Sequence, residues 1–317
     1  KRLKVELRFW KLLKKEVEIE EISIRNATFD TRDFIDGVVV NGHLGELYLE
    51  SHGVVFSPET ARINEFSVKN TDVSLTLGSI ESTDTVPSEP LYWKILLDEI
   101  DFENVGFALK MPQDSLFVRT MLPKTTLKNG VIDLKEASYY VKSFGIDNAE
   151  LAYGPKEELF LQQIGLQLDS IYYCGKDIRA NIEEFVLKER SGLELVSTEG
   201  RIVSDSVLIE IPKFTMKTTA SSLDLQTKIG WDVLEMKKTG VLSAKINAEI
   251  GKGDVAKILG GRDTLFLQTY PNKPFVFRAD AEGNLNSLRL RTLEAGLAKA
   301  FELKAKGNLL YLTDSTR

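Results

Sequence analysis

Apolar residues recur at every second position through most of this 317-residue chain, and that period places them on one face of a β-strand. Leu3, Val5, Leu7 and Phe9 open the pattern. It returns in Leu223, Leu225, Thr227, Ile229 and Trp231, in Leu242 through Ile250, in Phe275 through Ala281, and in Phe301, Leu303 and Ala305. Helical spacing is confined to Asp254 through Leu259. Leu293 to Phe301 has helix-forming composition, but Gly296 and the alternation around it leave strand open. An all-β chain with few short helices is expected.

A degenerate repeat runs through the first half: apolar, any, apolar, any, Asn, any, any, apolar. It reads Ile22-Ser-Ile24-Arg-Asn26-Ala-Thr-Phe29, Phe66-Ser-Val68-Lys-Asn70-Thr-Asp-Val73, Ile100-Asp-Phe102-Glu-Asn104-Val-Gly-Phe107 and Phe144-Gly-Ile146-Asp-Asn148-Ala-Glu-Leu151. Weaker copies stand at Leu127-Lys-Asn129-Gly-Val-Ile132 and Leu166-Gln-Leu168-Asp-Ser170. The step from the second apolar residue to the third is odd, so an unbroken strand would send the third to the opposite face. Asparagine accepts left-handed backbone angles better than most residues, and a bulge or corner there returns the chain to its original face. Asn26, Asn70, Asn104, Asn129 and Asn148 are the expected corners. The copies sit at irregular separations, which argues against a fixed-period solenoid and for a meander of unequal strands. Ser79–Pro90 and Gly260–Pro274 are the expected loops or breaks.

The functional classes that leave clear residue signatures are mostly missing. Lys and Arg total 41 against 47 Asp and Glu, a net charge of -6, with the basic residues scattered, so no nucleic-acid groove is expected. The single Cys174 allows neither an internal disulfide nor a thiolate pair for zinc. His43 and His52 lack a metal-ligand spacing and read as surface or loop histidines. Gly251-Lys-Gly253-Asp imitates a dinucleotide fingerprint without the parallel βαβ unit that motif needs. Carboxylates spread along strand exteriors, so no catalytic pair stands out, and no enzyme activity, metal or cofactor is expected. Asp followed by Ser or Thr recurs at Asp84, Asp114, Asp169, Asp205, Asp263 and Asp314. These triplets fit an O-glycosylation sequon of exported proteins and equally well ordinary turn starters.

The opening Leu3 to Phe29, with its Trp10-Lys-Leu-Leu-Lys-Lys link, resembles the start of the AsmA-like and TamB family of envelope proteins. Ile100–Pro112, Leu127–Tyr153 and Ala281–Leu309 are similar to TamB-type repeats. The resemblance implies one elongated, long, open, curled antiparallel sheet (a β-taco-like groove) over residues 1–317, as a fragment of a larger parent. The groove would be lined by Ile22, Ile24, Phe66, Val68, Ile100, Phe102, Leu127, Phe144, Ile146, Leu166 and Leu168. It further implies a Gram-negative periplasmic setting and phospholipid in the groove. The parent would hold an inner-membrane anchor N-terminal to residue 1 and meet a BamA-family outer-membrane protein. The competing expectations are a closed structural or adhesive β-protein that binds protein, and a carbohydrate-active β-scaffold.

Overall fold

A computed structural model describes residues 2–7, 16–17, 19–31, 37–56, 59–78, 92–235, 240–260, 262 and 264–312. The protein is mostly β, and it divides into two compact units, Lys1–Cys174 and Gly175–Arg317. The border falls at the Cys174/Gly175 turn; of the two expected breaks, residues 79–90 lie outside the described residues and 260–274 fall within the second unit.

The first unit holds β1 (Arg2–Leu7), β2 (Glu16–Val17), β3 (Ile19–Asp30), β4 (Val38–Phe56), β5 (Glu59–Leu77), β6 (Lys94–Met111), β7 (Leu116–Asp133), β8 (Ser138–Tyr153) and β9 (Leu159–Cys174). From β3 to β9 each strand pairs with the next, and β1 adds to the outer side of β3. All these pairs are antiparallel except one. β5 and β6 run parallel, from Thr60 beside Lys94 to Thr76 beside Lys110, which corrects the expectation of a wholly antiparallel sheet.

The parallel pair has its cause in a duplication. Asn26 and Asn70 recur 78 residues later as Asn104 and Asn148, and with them Ile22 as Ile100, Phe29 as Phe107, Leu44 as Leu122, Leu49 as Leu127 and Phe66 as Phe144. The repeating unit is three antiparallel strands, β3–β5 and then β6–β8. A three-strand unit ends in the direction in which it began. A second copy laid alongside in the same orientation must therefore join it by a parallel pair. The repeat separations that looked irregular are thus regular at the level of the triplet.

The left-handed residues align across this sheet. Asn26, Asn70, Asn104, Asn129 and Asn148 have φ between 49° and 55°, as do Gln163 at 53° and Ser170 at 55°. Asn26, Gly45, Asn70, Asn104, Pro123 and Asn148 occupy one transverse row, because the pairs on either side of it keep register. A proline in a central strand removes a ladder donor. Pro123 stands in the row where the ladder is already interrupted. A second crease, six residues along, carries Asn129 on β7 and Ser170 on β9.

The second unit holds β10 (Asp177–Glu189), β11 (Glu194–Ser204), β12 (Leu208–Thr218), β13 (Ser222–Gly230), β14 (Leu242–Ile250), β15 (Phe275–Gly283), β16 (Ser287–Leu297) and β17 (Phe301–Leu310), each antiparallel to the next. Leu293 to Phe301 is thereby strand and turn rather than helix. Three short helices sit in the connections: α1 (Trp231–Leu234) after β13, then α2 (Lys252–Leu259) and α3 (Thr264–Thr269) between β14 and β15. The helix at 254–259 was legible in spacing. α3, inside the stretch expected as loop, was not, and Trp231 begins α1 instead of ending β13.

Turn chemistry closes the hairpins. Asp205 accepts from the backbone N–H of Val207 and Leu208 at 2.7 and 2.9 Å, and Asn284 from those of Asn286 and Ser287 at 2.9 and 3.0 Å. The two backbone donors hold the Asp205 carboxyl below its ordinary value. Of the six Asp-Ser/Thr triplets, those at Asp114, Asp169 and Asp205 are described. Ser115 and Ser170 are left-handed and Asp205 starts a turn, while Asp84, Asp263 and Asp314 lie outside the described residues.

Candidate functional site

The register gathers all eleven expected lining residues into two adjacent transverse rows on one face of the first unit. One row runs Ile22, Leu49, Phe66, Ile100, Leu127, Phe144, Leu168, and its neighbour runs Ile24, Leu47, Val68, Phe102, Thr125, Ile146, Leu166. Phe66 and Phe102 bridge the two rows across the parallel pair, their rings 6.1 Å apart and edge to face. Leu47, Leu49 and Thr125 are members that the repeat pattern did not single out. Their signal was available in the 78-residue offset and in the alternation of β4.

The creases keep further apolar residues on that side. A methyl added to Gly130 would meet Leu127 at 3.2 Å and Leu97 at 3.3 Å. Leu127 and Gly130 are three residues apart, so in an unbroken strand they would face opposite ways. The left-handed Asn129 between them restores the side. All five corner asparagines are exposed. They shape the lane rather than line it.

The second unit builds an equivalent face. Ile182, Gly200, Phe214, Leu225, Ile246, Ala279, Leu293 and Ala305 form one row, and Thr198, Met216, Leu223, Ala248, Phe277, Ala295 and Leu303 the next. Both rows mix large side chains with Gly, Ala or Thr, so row height varies along the sheet. The Phe214 ring lies over Gly200, where an added Cβ would fall 2.7 Å from it.

These faces are poorly covered. Every strand in each unit belongs to that unit's one ladder, so neither unit has a second sheet among the described residues. Val68 at 9% exposure is the only one of the eleven lining residues that is buried; the others are half-buried. Half-buried apolar rows of this kind are what a single-layer sheet leaves open to a partner or ligand.

The opposite face is polar and ordered by charge. Across six strands the paired residues read Arg25, Glu46, Lys69, Glu103, Lys124, Asp147, alternating in sign at every step. Arg25–Glu46 closes to 2.9 Å and Lys69–Glu103 to 3.2 Å. The hydrogen bond and charge of Glu103 hold the Lys69 ammonium above its ordinary pKa. The Tyr48 phenol is also pushed up, first by burial and then by its hydrogen bond to Glu50. In the row of the second crease Asn64 donates to Asp98 at 2.9 Å, Arg62 from beside it does so at 2.9 Å, and His52 Nδ1 lies 2.6 Å from Asn64 Oδ1. His43 and His52 are exposed as expected, but both belong to strand β4 rather than to a loop.

On this polar face a depression of about 340 Å³ is lined by His43, Asp72, Gly106, Met121, Arg119 and Glu150, among others. Arg119 is already paired to Glu157 at 2.7 Å, and the Thr120 hydroxyl donates to the Glu150 backbone carbonyl at 2.9 Å. Among the described residues no three His, Cys, Asp or Glu side chains converge as metal ligands, and no helix is long and apolar enough to cross a membrane. No family model matches the chain, and no curated protein matches it.

Proposed function

We propose that this chain is a segment of an envelope lipid conduit of the AsmA-like and TamB kind, and that its apolar sheet face shields acyl chains in transit across a Gram-negative periplasm. The carrying observation is the pair of adjacent rows, Ile22 to Leu168 and Ile24 to Leu166, apolar but for Thr125, on a face that no second sheet of its unit covers among the described residues. Each methylene of an acyl chain withdrawn from a bilayer costs about 0.8 kcal/mol in water. A lane of half-buried aliphatic and aromatic side chains offsets that cost without a bond being made or broken, so no catalytic residue is required. The creases turn strands that would otherwise lose their sidedness into one unbroken lane. Phospholipid is the proposed ligand. The inner-membrane anchor and the BamA-family partner belong to the parent protein in this reading.

Lipid extraction and mass spectrometry of the detergent-free protein, exported to a bacterial periplasm, tests the proposal. The comparison is a variant with Glu at Ile24, Val68, Phe102 and Ile146. Phospholipid in more than one copy per chain in the parent, and its loss from a variant with unchanged circular dichroism, is the expected result. A lipid-free, folded parent would overturn the reading and favour a β-scaffold that binds protein.

A further inference from the structure

The connection between β14 and β15 carries a surface that the lane does not use. Leu265 on α3 is 71% exposed, the highest value for any large apolar side chain among the described residues. Ile258 on the adjoining α2 is 69% exposed and Phe266 on α3 44%. Isolated apolar residues on a surface need no explanation. Three of them on two short helices that touch each other, at one end of a sheet, form a projection.

Its charge differs from that of the chain. Residues 251–274 hold Lys252, Lys257, Arg262 and Lys273 against Asp254 and Asp263, a formal +2 in a chain of -6. One of the two acids is spent inside. Asp254 is 2% exposed and accepts hydrogen bonds from Thr218, from Ser221 at 2.6 Å and from Thr219 at 3.4 Å. This cluster clamps α2 to the β12–β13 turn, and Lys252 donates to the Tyr270 carbonyl at 2.9 Å, so the two helices are held as one projecting piece. Tyr270 is itself anchored to the Ile250 carbonyl at 3.1 Å.

The other end of the same strands provides the contrast. There Val207, Leu234 and Val241 are 64%, 51% and 50% exposed, but Asp205, Asp232 and Glu235 stand among them. Lys176 at that end lies over the Trp231 ring at 4.9 Å and pairs with Glu235 at 3.4 Å. With Lys237 and Lys238 of the same connection, the three acids of that end are balanced by three cations, whereas the β14–β15 connection keeps its net positive charge.

We infer that the α2–α3 projection docks on an anionic phospholipid bilayer, with Ile258, Leu265 and Phe266 entering the headgroup boundary while Arg262 and Lys273 meet lipid phosphates. Exposed aliphatic and aromatic side chains beside basic residues are the combination that interfacial membrane contact uses, and the juxtaposed cations favour an anionic surface over a neutral one. The opposite end carries no such excess of positive charge, so the second unit meets a bilayer end-on through the β14–β15 connection. The docking stands on this surface alone and does not require lipid in the apolar rows.

Flotation of the purified chain with vesicles of 30% dioleoylphosphatidylglycerol in dioleoylphosphatidylcholine tests it. Wild type floats with these vesicles and not with pure phosphatidylcholine. Leu265→Glu with Phe266→Glu reduces the floated fraction at least tenfold, and Arg262→Glu with Lys273→Glu does so in a way that high salt reproduces in the wild type. All four side chains are exposed, and circular dichroism checks that both variants fold. Absence of flotation by the wild type, or flotation that neither variant changes, overturns the inference. So does a dimer in analytical ultracentrifugation that the Leu265/Phe266 variant abolishes while vesicles bind nothing. Co-extracted lipid in the same preparations reports on the conduit separately, and the two readings fail independently.

Discussion

Asn70 and Asn104 stand side by side across the parallel β5–β6 pair, both left-handed, and the Asn104 side-chain amide donates to the Asn70 side-chain oxygen at 3.2 Å. Two strands thus enter the αL region at the same level, and their side chains tie the crease together on its exposed side. A β-branched residue there would carry a steric penalty that Asn largely avoids. Asn104→Val should destabilise the first unit by about 1–2 kcal/mol. Asn104→Gly should be tolerated far better, although it loses the hydrogen bond. Urea unfolding of the two variants distinguishes a backbone requirement from a side-chain one, and equal losses would argue against the left-handed crease.

Gly45 fills the same row on β4 for a different reason. Its φ is not positive; instead an added Cβ would lie 2.3 Å from the Asn70 carbonyl oxygen and 2.7 Å from that of Lys69. Both are backbone atoms, which cannot swing aside. Gly45→Ala should therefore cost about 1–3 kcal/mol in urea unfolding. The matched Gly307→Ala, where nothing lies within 4 Å of the new methyl but φ is +155°, probes conformational strain without a clash.

Much of this architecture was legible in the residues because period two and the Asn corner are local properties. The odd step from Val68 to Val73 demands a correction within the strand, and Asn70 is the residue between them that supplies it. Parallel pairing was not legible, since β5 and β6 carry the same alternation that antiparallel strands would. The offset of 78 residues was visible in the pairs Asn26/Asn104 and Asn70/Asn148. A single Asn does not display it; the offset emerges only in the triplets Asn26–Gly45–Asn70 and Asn104–Pro123–Asn148. Transverse alignment of the rows depends on strand lengths and turn positions, which no single repeat contains. α3 was hidden because Thr264–Thr269 is too short to display a helical period.

Asp254 provides a pH-dependent test of the α2 clamp. Burial raises the pKa of its carboxyl, but the hydroxyls of Ser221, Thr218 and Thr219 and the nearby Lys257 ammonium outweigh burial, leaving it below the ordinary value. A carboxyl with a depressed folded pKa stabilises in full above its unfolded pKa of about 4, and that contribution is lost as pH falls through the folded value. Asp254→Asn should thus cost about 1–3 kcal/mol at pH 7. The gap between wild type and variant should narrow on going to pH 3. A gap that is constant with pH would mean that shape rather than charge holds the clamp.

The charge ladder on the polar face follows from the odd number of strands in the repeat. Arg25, Glu46 and Lys69 in the first triplet become Glu103, Lys124 and Asp147 at the same places in the second. Had the signs been copied with the fold, Lys69 would face a second cation across the parallel join; inversion makes the alternation continuous. Exchanging Lys69 and Glu103 by Lys69→Glu with Glu103→Lys preserves their own attraction but sets the new Glu against Glu46 and the new Lys against Lys124. Unlike an isolated ion pair, this swap should not recover the wild-type urea midpoint. Inverting all six residues should recover it, because every neighbour is again of opposite sign. Exposed charges are screened by salt, so the deficit of the two-residue swap should shrink in 1 M NaCl. A swap variant as stable as the wild type at low salt would show that the six residues act as separate pairs and leave register to the apolar rows and the creases.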